Sequence, residues 1–257
     1  MNKREFHNRV AIIIGTSGKI ENRIAYKLAQ LGCHLIIGSS NQEILSQLEA
    51  ELSHMRTGVI CQQTDISDPQ SVKNLFDVAM KHFARVDFLI CHSGHRNGRD
   101  LMDTSISSVK ESMNMNFYSI LNIMNEILPH LLLKQKGHII AISSLNAKKS
   151  MTYDAAYVAS NAALSGYLNS LRPELRRHGI SLSQIYPKDF LDSASNNSIK
   201  INPEKVSNAV IQCLNSQKSE LWVPYLFSKF LLFLDLFSPK LADYFVKSPL
   251  AGKNSNK

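Results

Sequence analysis

Ser144 and Tyr157 stand thirteen residues apart: the serine closes the apolar run GHIIAISS, and the tyrosine opens YVASN on an amphipathic stretch. Reducing a carbonyl by hydride transfer calls for a proton donor to the developing alkoxide, a second hydrogen-bond donor to orient the oxygen, and a dinucleotide nearby. A tyrosine and a serine supply the first two. Taken alone, a tyrosine behind an alanine pair is ordinary core packing, so the pair draws its meaning from its surroundings.

A second group lies at Gly15-Thr16-Ser17-Gly18-Lys19-Ile20-Glu21, between an apolar run and an amphipathic segment. A glycine-containing turn from strand to helix aims backbone NH groups and the positive end of a helix dipole at a pyrophosphate, and it also occurs as a plain structural loop. Glu21 carries negative charge toward such a phosphate. At about 4 Å that repulsion runs from about 1 kcal/mol in water to about 4 near a protein surface. Lys19 is placed to offset it, by pairing with Glu21 or with the phosphate. After the next apolar run, Gly38-Ser39-Ser40-Asn41 offers neither a carboxylate for the ribose of NAD nor an arginine for the phosphate of NADP. The missing carboxylate tilts the reading toward NADP by removing a repulsion. His92, at the end of the fourth run, reads as a structural histidine or as an acid or base.

These residues need a scaffold, and the chain alternates short apolar runs with longer amphipathic ones. Strands are expected at 9–14, 34–38, 58–62, 86–91, 138–142, 181–185 and 221–223, and helices at 20–31, 42–53, 69–83, 107–136, 154–178 and 203–216. That is the pattern of βαβ units, and strands apolar on both faces suit burial between two helical layers. Asn41 and Asp68 are the expected N-caps, the second followed by Pro69 at a tolerated first position. The fold class is α/β: a doubly wound parallel sheet with helices on both faces and an apolar C-terminal helical appendage.

Composition narrows the partners. The 257 residues are 44% hydrophobic and 19% charged, enough for one large core, and 29 Lys and Arg against 21 Asp and Glu leave a net charge of +8. The charge favours anionic partners, yet no basic run reaches five residues and no aromatic-interleaved RNA-binding signature appears, so nucleic acid is not expected. Four cysteines lack CxxC or Cys/His metal spacing, which points to reduced thiols and no metal. The run VAIIIG near the start is too short for a signal-peptide core or a membrane span, so a cytoplasmic location is expected.

Together these phrases resemble the short-chain dehydrogenase/reductase family across roughly residues 8–190: VAIIIGTSGKIENRIAYKLAQLG aligns without a gap to the TGxxxGxG opening, and AAYVASNAALSGYLNSLRPEL to the active-site helix. The resemblance implies a Rossmann-like domain over 1–220, with 221–257 as an appendage of the same domain. It implies catalytic positions at Ser144, Tyr157, Asn116 (the family's proton-relay asparagine) and Asn161. It places the cofactor against Gly15, Ser17, Gly18, Lys19, Ile20, Ser39, Asp65, Ile66, Gly94, Tyr157, Asn161 and Pro187, with Asp65 matching the acid that contacts adenine.

The departures are as specific as the matches. Two of three motif glycines fall on Lys19 and Glu21, the NNAG motif reads Cys91-His92-Ser93-Gly94, and PG reads Pro187-Lys188. Asn161 replaces the lysine that lowers the tyrosine's pKa and holds the nicotinamide ribose. An amide hydrogen-bonds ribose but lends no charge to a phenolate. With a pKa of about 10, only about a thousandth of an unperturbed phenol is ionised at neutral pH. Oxidation, which needs phenolate, suffers most; reduction needs the neutral phenol, at a cost of about 10²–10⁴-fold without efficient proton transfer. Lys148 and Lys149 are expected in an exposed loop.

Beyond Glu220 the chain turns strongly apolar, and 225–238 reads as a helix with a polar stripe of Ser228, Lys229 and Asp235. It has the character to lie in a membrane interface, line a pocket for a long apolar substrate, pack on a second subunit in a homo-oligomer, or cover the core. Two functions are in play: an NAD(P)(H)-dependent carbonyl reductase of reduced efficiency on a hydrophobic small molecule, and a catalytically inactive binding or scaffolding protein on the same fold.

Overall fold

The structure, a computed structural model, describes residues 5–15, 18–92, 104–150, 154–188 and 202–246, with side chains to 243. Strands β1 (Val10–Gly15), β2 (His34–Ser39), β3 (Val59–Gln63), β4 (Phe88–His92), β5 (Gly137–Ile142), β6 (Ile180–Pro187) and β7 (Glu220–Val223) form one parallel sheet in the order β3-β2-β1-β4-β5-β6-β7. Helices α1 (Lys19–Gln30), α2 (Gln42–Leu52), α3 (Pro69–Phe83), α4 (Ile106–Met113), α5 (Ser119–Lys134), α6 (Ala155–Arg177), α7 (Pro203–Ser216), α8 (Tyr225–Phe237) and α9 (Pro239–Val246) join or follow the strands. The expected doubly wound α/β class is the class found.

Side-chain alternation along the strands divides the core in two. Ala11 and Ile13 of β1 face a cluster with Ile24, Leu28, Leu45 and Val210, while Val10, Ile12 and Ile14 face another with Val72, Leu75, Ile123 and Leu164. Each β1 residue is fully or almost fully buried, so no substitution there escapes both layers. Chain order reverses between β1 and β4, whose register pairs Gly15 with His92; in open α/β sheets this switch point opens the ligand crevice at the strands' carboxyl ends.

The predicted caps are in place: Asn41 Oδ1 accepts from Glu43 and Ile44 amides at 2.9 and 3.1 Å, and the Asp68 carboxylate accepts from Gln70 and Ser71 at 3.0 and 3.2 Å. The expected helix over 107–136 is broken. Its middle, Asn114–Tyr118, is a π-helical turn between α4 and α5, and Pro129 is accommodated farther along α5. Periodicity gave no sign of this, because one inserted residue leaves the apolar spacing on either side intact. All four cysteines are free thiols, and burial pushes their pKa values up, to about 12 for Cys33 and Cys91 and about 11 for Cys61 and Cys213.

One buried carboxylate ties the sheet's amino end together. Asp87 accepts from Arg9, Arg85 and Lys134 at 2.9, 2.7 and 2.7 Å and from the Val10 amide at 3.0 Å. Burial alone would raise its pKa, but the hydrogen bonds from Arg85, Lys134 and Val10 and the Lys134 charge hold it well below the usual carboxylate range. A carboxyl lowered on folding contributes stability that is complete above its unfolded value of about 3.9 and is lost as pH falls toward the folded value. Asp87→Asn is therefore expected to lower stability at pH 7 by about 2–3 kcal/mol and to shrink the loss between neutral and acid pH, as read by urea unfolding.

Candidate functional site

The polar residues of interest gather where β5 meets α6, at the carboxyl edge of the sheet. Ser144 follows β5 and begins a short 3₁₀ turn, Leu145–Ala147. Its Oγ is fully buried and accepts twice, from the Asn146 amide at 3.1 Å and from Asn146 Nδ2 at 3.0 Å. With both described bonds accepted, the hydroxyl keeps its own proton to donate, which is what orienting a carbonyl oxygen requires.

Tyr157 is the third residue of α6 and is buried. Asp154 caps this helix by accepting from the Tyr157 amide at 3.0 Å, which fixes the backbone of the first turn on which Tyr157 stands. Asn116 sits in the π-helical turn, fully buried, and its Nδ2 donates to Ser160 Oγ at 3.0 Å; Ser160 Oγ donates in turn to the Tyr157 carbonyl at 2.9 Å. Asn161 completes the corner. Its Nδ2 donates to the Tyr157 carbonyl at 2.9 Å and its Oδ1 accepts from Ser143 Oγ at 2.9 Å, so this amide straps α6 to the end of β5. Thus Asn116 and Asn161 meet at the Tyr157 carbonyl, Asn116 by way of Ser160, and Ser144, next to Ser143 in the chain, is buried with its own bonds to Asn146. Sequence reasoning missed the supporting set of Ser143, Asn146, Asp154 and Ser160; the Asp-x-x-Tyr spacing at a helix entry was the one legible signal among them.

The nucleotide-facing positions follow the same edge. Gly15 ends β1, and Gly18 precedes α1 at φ 72°, a left-handed conformation in which a Cβ would also press on Ile44 Cδ1 at 2.8 Å. Lys19 is exposed. The Ile20 and Ile66 side chains are buried in the two cores, leaving only their backbones toward a ligand. Ser39 Oγ at the end of β2 accepts from the Asn41 amide at 3.2 Å. Asp65 Oδ1 accepts from the Ser67 amide and hydroxyl at 2.8 and 2.7 Å, a local turn. Pro187 ends β6 opposite Val223. Ser17 and Gly94 lie outside the described residues.

Glu21 did not follow its sequence-based expectation. Its carboxylate is buried rather than turned to Lys19, and Oε1 lies 2.8 Å from Nδ1 of buried His92 across the switch point. The carboxylate also rests on Gly15, where any Cβ would overlap Oε1 outright. This is the ground over which a pyrophosphate approaches backbone, so a dinucleotide fits these residues only once the Glu21 side chain has swung aside.

Neighbouring lysines are occupied too. Lys148 and Lys149, expected in open solvent, are half-buried and paired: Lys148 with Glu220 at 3.0 Å, Lys149 with Asp235 and Asp243 at 2.7 and 2.6 Å. Both turn toward the C-terminal elements. Lys188 Nζ stands 3.2 Å from the centre of the Phe227 ring, and burial pushes its pKa down to about 8. Among the described residues no cluster of His, Cys, Asp or Glu is arranged to hold a metal.

The family profile described as short chain dehydrogenase matches residues 9–203, and the chain belongs to this family of oxidoreductases. Among its relatives, a fatty acyl-CoA reductase of Acinetobacter baylyi is 29% identical over 180 residues, 69% of this chain and 61% of that protein. Dehydrogenase/reductase SDR family member 7B of Bos taurus is 28% identical over 204 residues, 77% of this chain and 63% of that protein. The chain therefore spans somewhat under two thirds of each. A Burkholderia phymatum short-chain dehydrogenase/reductase solved with NAD superposes with a TM-score of 0.81 at 19% identity, covering 92% of this chain and 96% of that one. A metagenomic short-chain oxidoreductase solved with NADP gives 0.72 at 23% identity, covering 85% and 97%.

Replacing Glu21 with the family's glycine removes both the carboxylate on Gly15 and its charge. Glu21→Gly is expected to tighten NADPH or NADH binding about tenfold or more, as read by cofactor fluorescence; unchanged affinity would clear Glu21 of the obstruction.

Proposed function

We propose that the chain is an NAD(P)(H)-dependent oxidoreductase that reduces a carbonyl on a hydrophobic or lipid-like substrate, with efficiency lowered by its altered cofactor site. The observation that carries this reading is the buried corner in which Ser144 retains a proton to donate and Asn116, Ser160 and Asp154 fix the helix turn bearing Tyr157. Buried hydroxyls and amides held by hydrogen bonds are what preorganised proton transfer needs. The fatty acyl-CoA reductase relative supports an apolar carbonyl substrate, and the NAD and NADP complexes of the structural neighbours support the cofactor class.

In this reading residues 1–220 form the catalytic domain and 221–257 its appendage. A reduced nicotinamide, when bound, supplies the hydride. The Tyr157 hydroxyl donates the proton, the Ser144 hydroxyl orients the oxygen, and Asn116 keeps the Tyr157 turn in place. Gly15, Gly18, Ser39, Asp65 and Pro187 line the cofactor's path, and the lack of a carboxylate after β2 favours NADP. Asn161 holds α6 to β5 in place of a lysine and lends the phenol no charge. The direction that draws a proton from substrate is accordingly the weaker one.

A second reading, a binding or scaffolding protein that has lost its cofactor, is favoured by the Glu21–His92 pair over Gly15. Titration with NADPH and NADH separates the two, since no binding at millimolar cofactor sinks the reductase. Where cofactor binds, Tyr157→Phe is expected to abolish turnover on an apolar aldehyde or ketone. Asn161→Lys is expected to raise alcohol oxidation at neutral pH about 10²-fold by stabilising phenolate. An indifferent Tyr157→Phe would move the chemistry elsewhere.

A further inference from the structure

Helix α8 is apolar on both sides, and its inward face, which buries Leu231, also takes two of its polar side chains. Ser228, fully buried, donates from Oγ to the Pro224 carbonyl at 2.7 Å, and Asp235 reaches Lys149 at 2.7 Å, so these two polar side chains face the body. The stripe expected of Ser228, Lys229 and Asp235 is thereby split, with Lys229 alone outward. On the outer face Leu226, Phe233, Leu236 and Phe237 are 81, 63, 79 and 71% exposed, and Leu241 of α9 continues the surface at 52%. Single exposed apolar residues are common on soluble proteins; a continuous face of large ones marks an interaction surface.

The charge around that face has one sign. From residue 221 onward the only acids are Asp235 and Asp243, and both are bound by Lys149 of the body. Lys229 and Lys240 are exposed, and residues 247–257 add three lysines and no acid. At one border Lys229 Nζ lies 4.8 Å from the Tyr225 ring centre and 5.8 Å from that of Trp222, the two rings stacked at 6.1 Å. Amphipathic rings beside a lysine at the rim of an apolar face suit the headgroup level of a bilayer. The thirteen residues of α8 reach about 20 Å, short of a hydrocarbon core of about 30 Å, and no helix among the described residues is long and apolar enough to cross a membrane.

We propose that α8 and α9 form an in-plane anchor for an anionic lipid bilayer, with Leu226, Phe233, Leu236 and Phe237 in the acyl boundary and Lys229 and Lys240 among the headgroups. The contact between Phe227 of α8 and Lys188, just past β6, sets the anchor beside the carboxyl edge where an apolar substrate would enter. The inference rests on the lipid-like substrate of the proposed reading for its purpose, but not on catalysis for its test.

The test is co-sedimentation of the full chain, without cofactor, with vesicles of phosphatidylcholine alone and of phosphatidylcholine mixed with phosphatidylserine. Binding is expected to the mixed vesicles, to weaken with added salt, and to fall about tenfold or more in Leu226→Ser/Phe233→Ser/Leu236→Ser. Lys229→Glu/Lys240→Glu, which leaves the apolar face intact, is expected to lose only the preference for phosphatidylserine. Circular dichroism checks the fold of each variant. Equal binding to both vesicle types, or no binding, overturns the proposal. So does a dimer in light scattering that Leu236→Glu dissolves, which would assign the face to a second copy. Failure to reduce substrate leaves the vesicle result standing, so the two readings fall separately.

Discussion

Seven strands running one way, with both faces covered by helices, leave a polar chain few places to meet a ligand. Their backbone groups are spent on the sheet ladder and their side chains on two apolar cores, so chemistry is confined to the edge where the strands end. Gly15, His92, Ser144 and Pro187 share that edge because each stands at or just past a strand end, although they are far apart in sequence. Asp87 and its three cations close the opposite edge, so the two ends of the sheet do different work.

At the carboxyl edge the buried polar side chains are held by one another. Asn161 is an uncharged amide that binds Ser143 and the Tyr157 carbonyl and keeps the β5–α6 corner closed. Glu21 is a carboxylate in place of a glycine, and burial makes such a charge costly unless it is paired. His92, itself a departure from the family motif, supplies the partner. The residues at the start of α1 and the end of β4 are therefore paired in space, although they are far apart in the chain.

The C-terminal unit follows the same logic at lower density. β7 extends the sheet, while α8 turns Ser228 and Leu231 inward and meets the body through Phe227 over Lys188 and the Asp235 pair with Lys149. Lys149, which lies between Ser144 and Tyr157 in sequence, is thus turned away from their chemistry and toward the appendage. A lysine's reach is set by where carboxylates stand in space, not by its neighbours along the chain.

The sequence alone determined the fold class, the succession of strands and helices along the chain, the caps at Asn41 and Asp68, and the family phrase around Ser144 and Tyr157, because periodicity and turn chemistry are local properties. It also marked Glu21, His92 and Asn161 as departures. Tertiary structure alone decided what those departures do: Glu21 against His92 across 71 positions, Asn161 against Ser143, Lys149 against Asp235 and Asp243. It also decided the π-helical turn at Asn116 and which face of α8 turns inward. Hydrogen bonds and ion pairs act over a few ångströms of space, and which residues come that close is fixed by packing rather than by spacing in the chain.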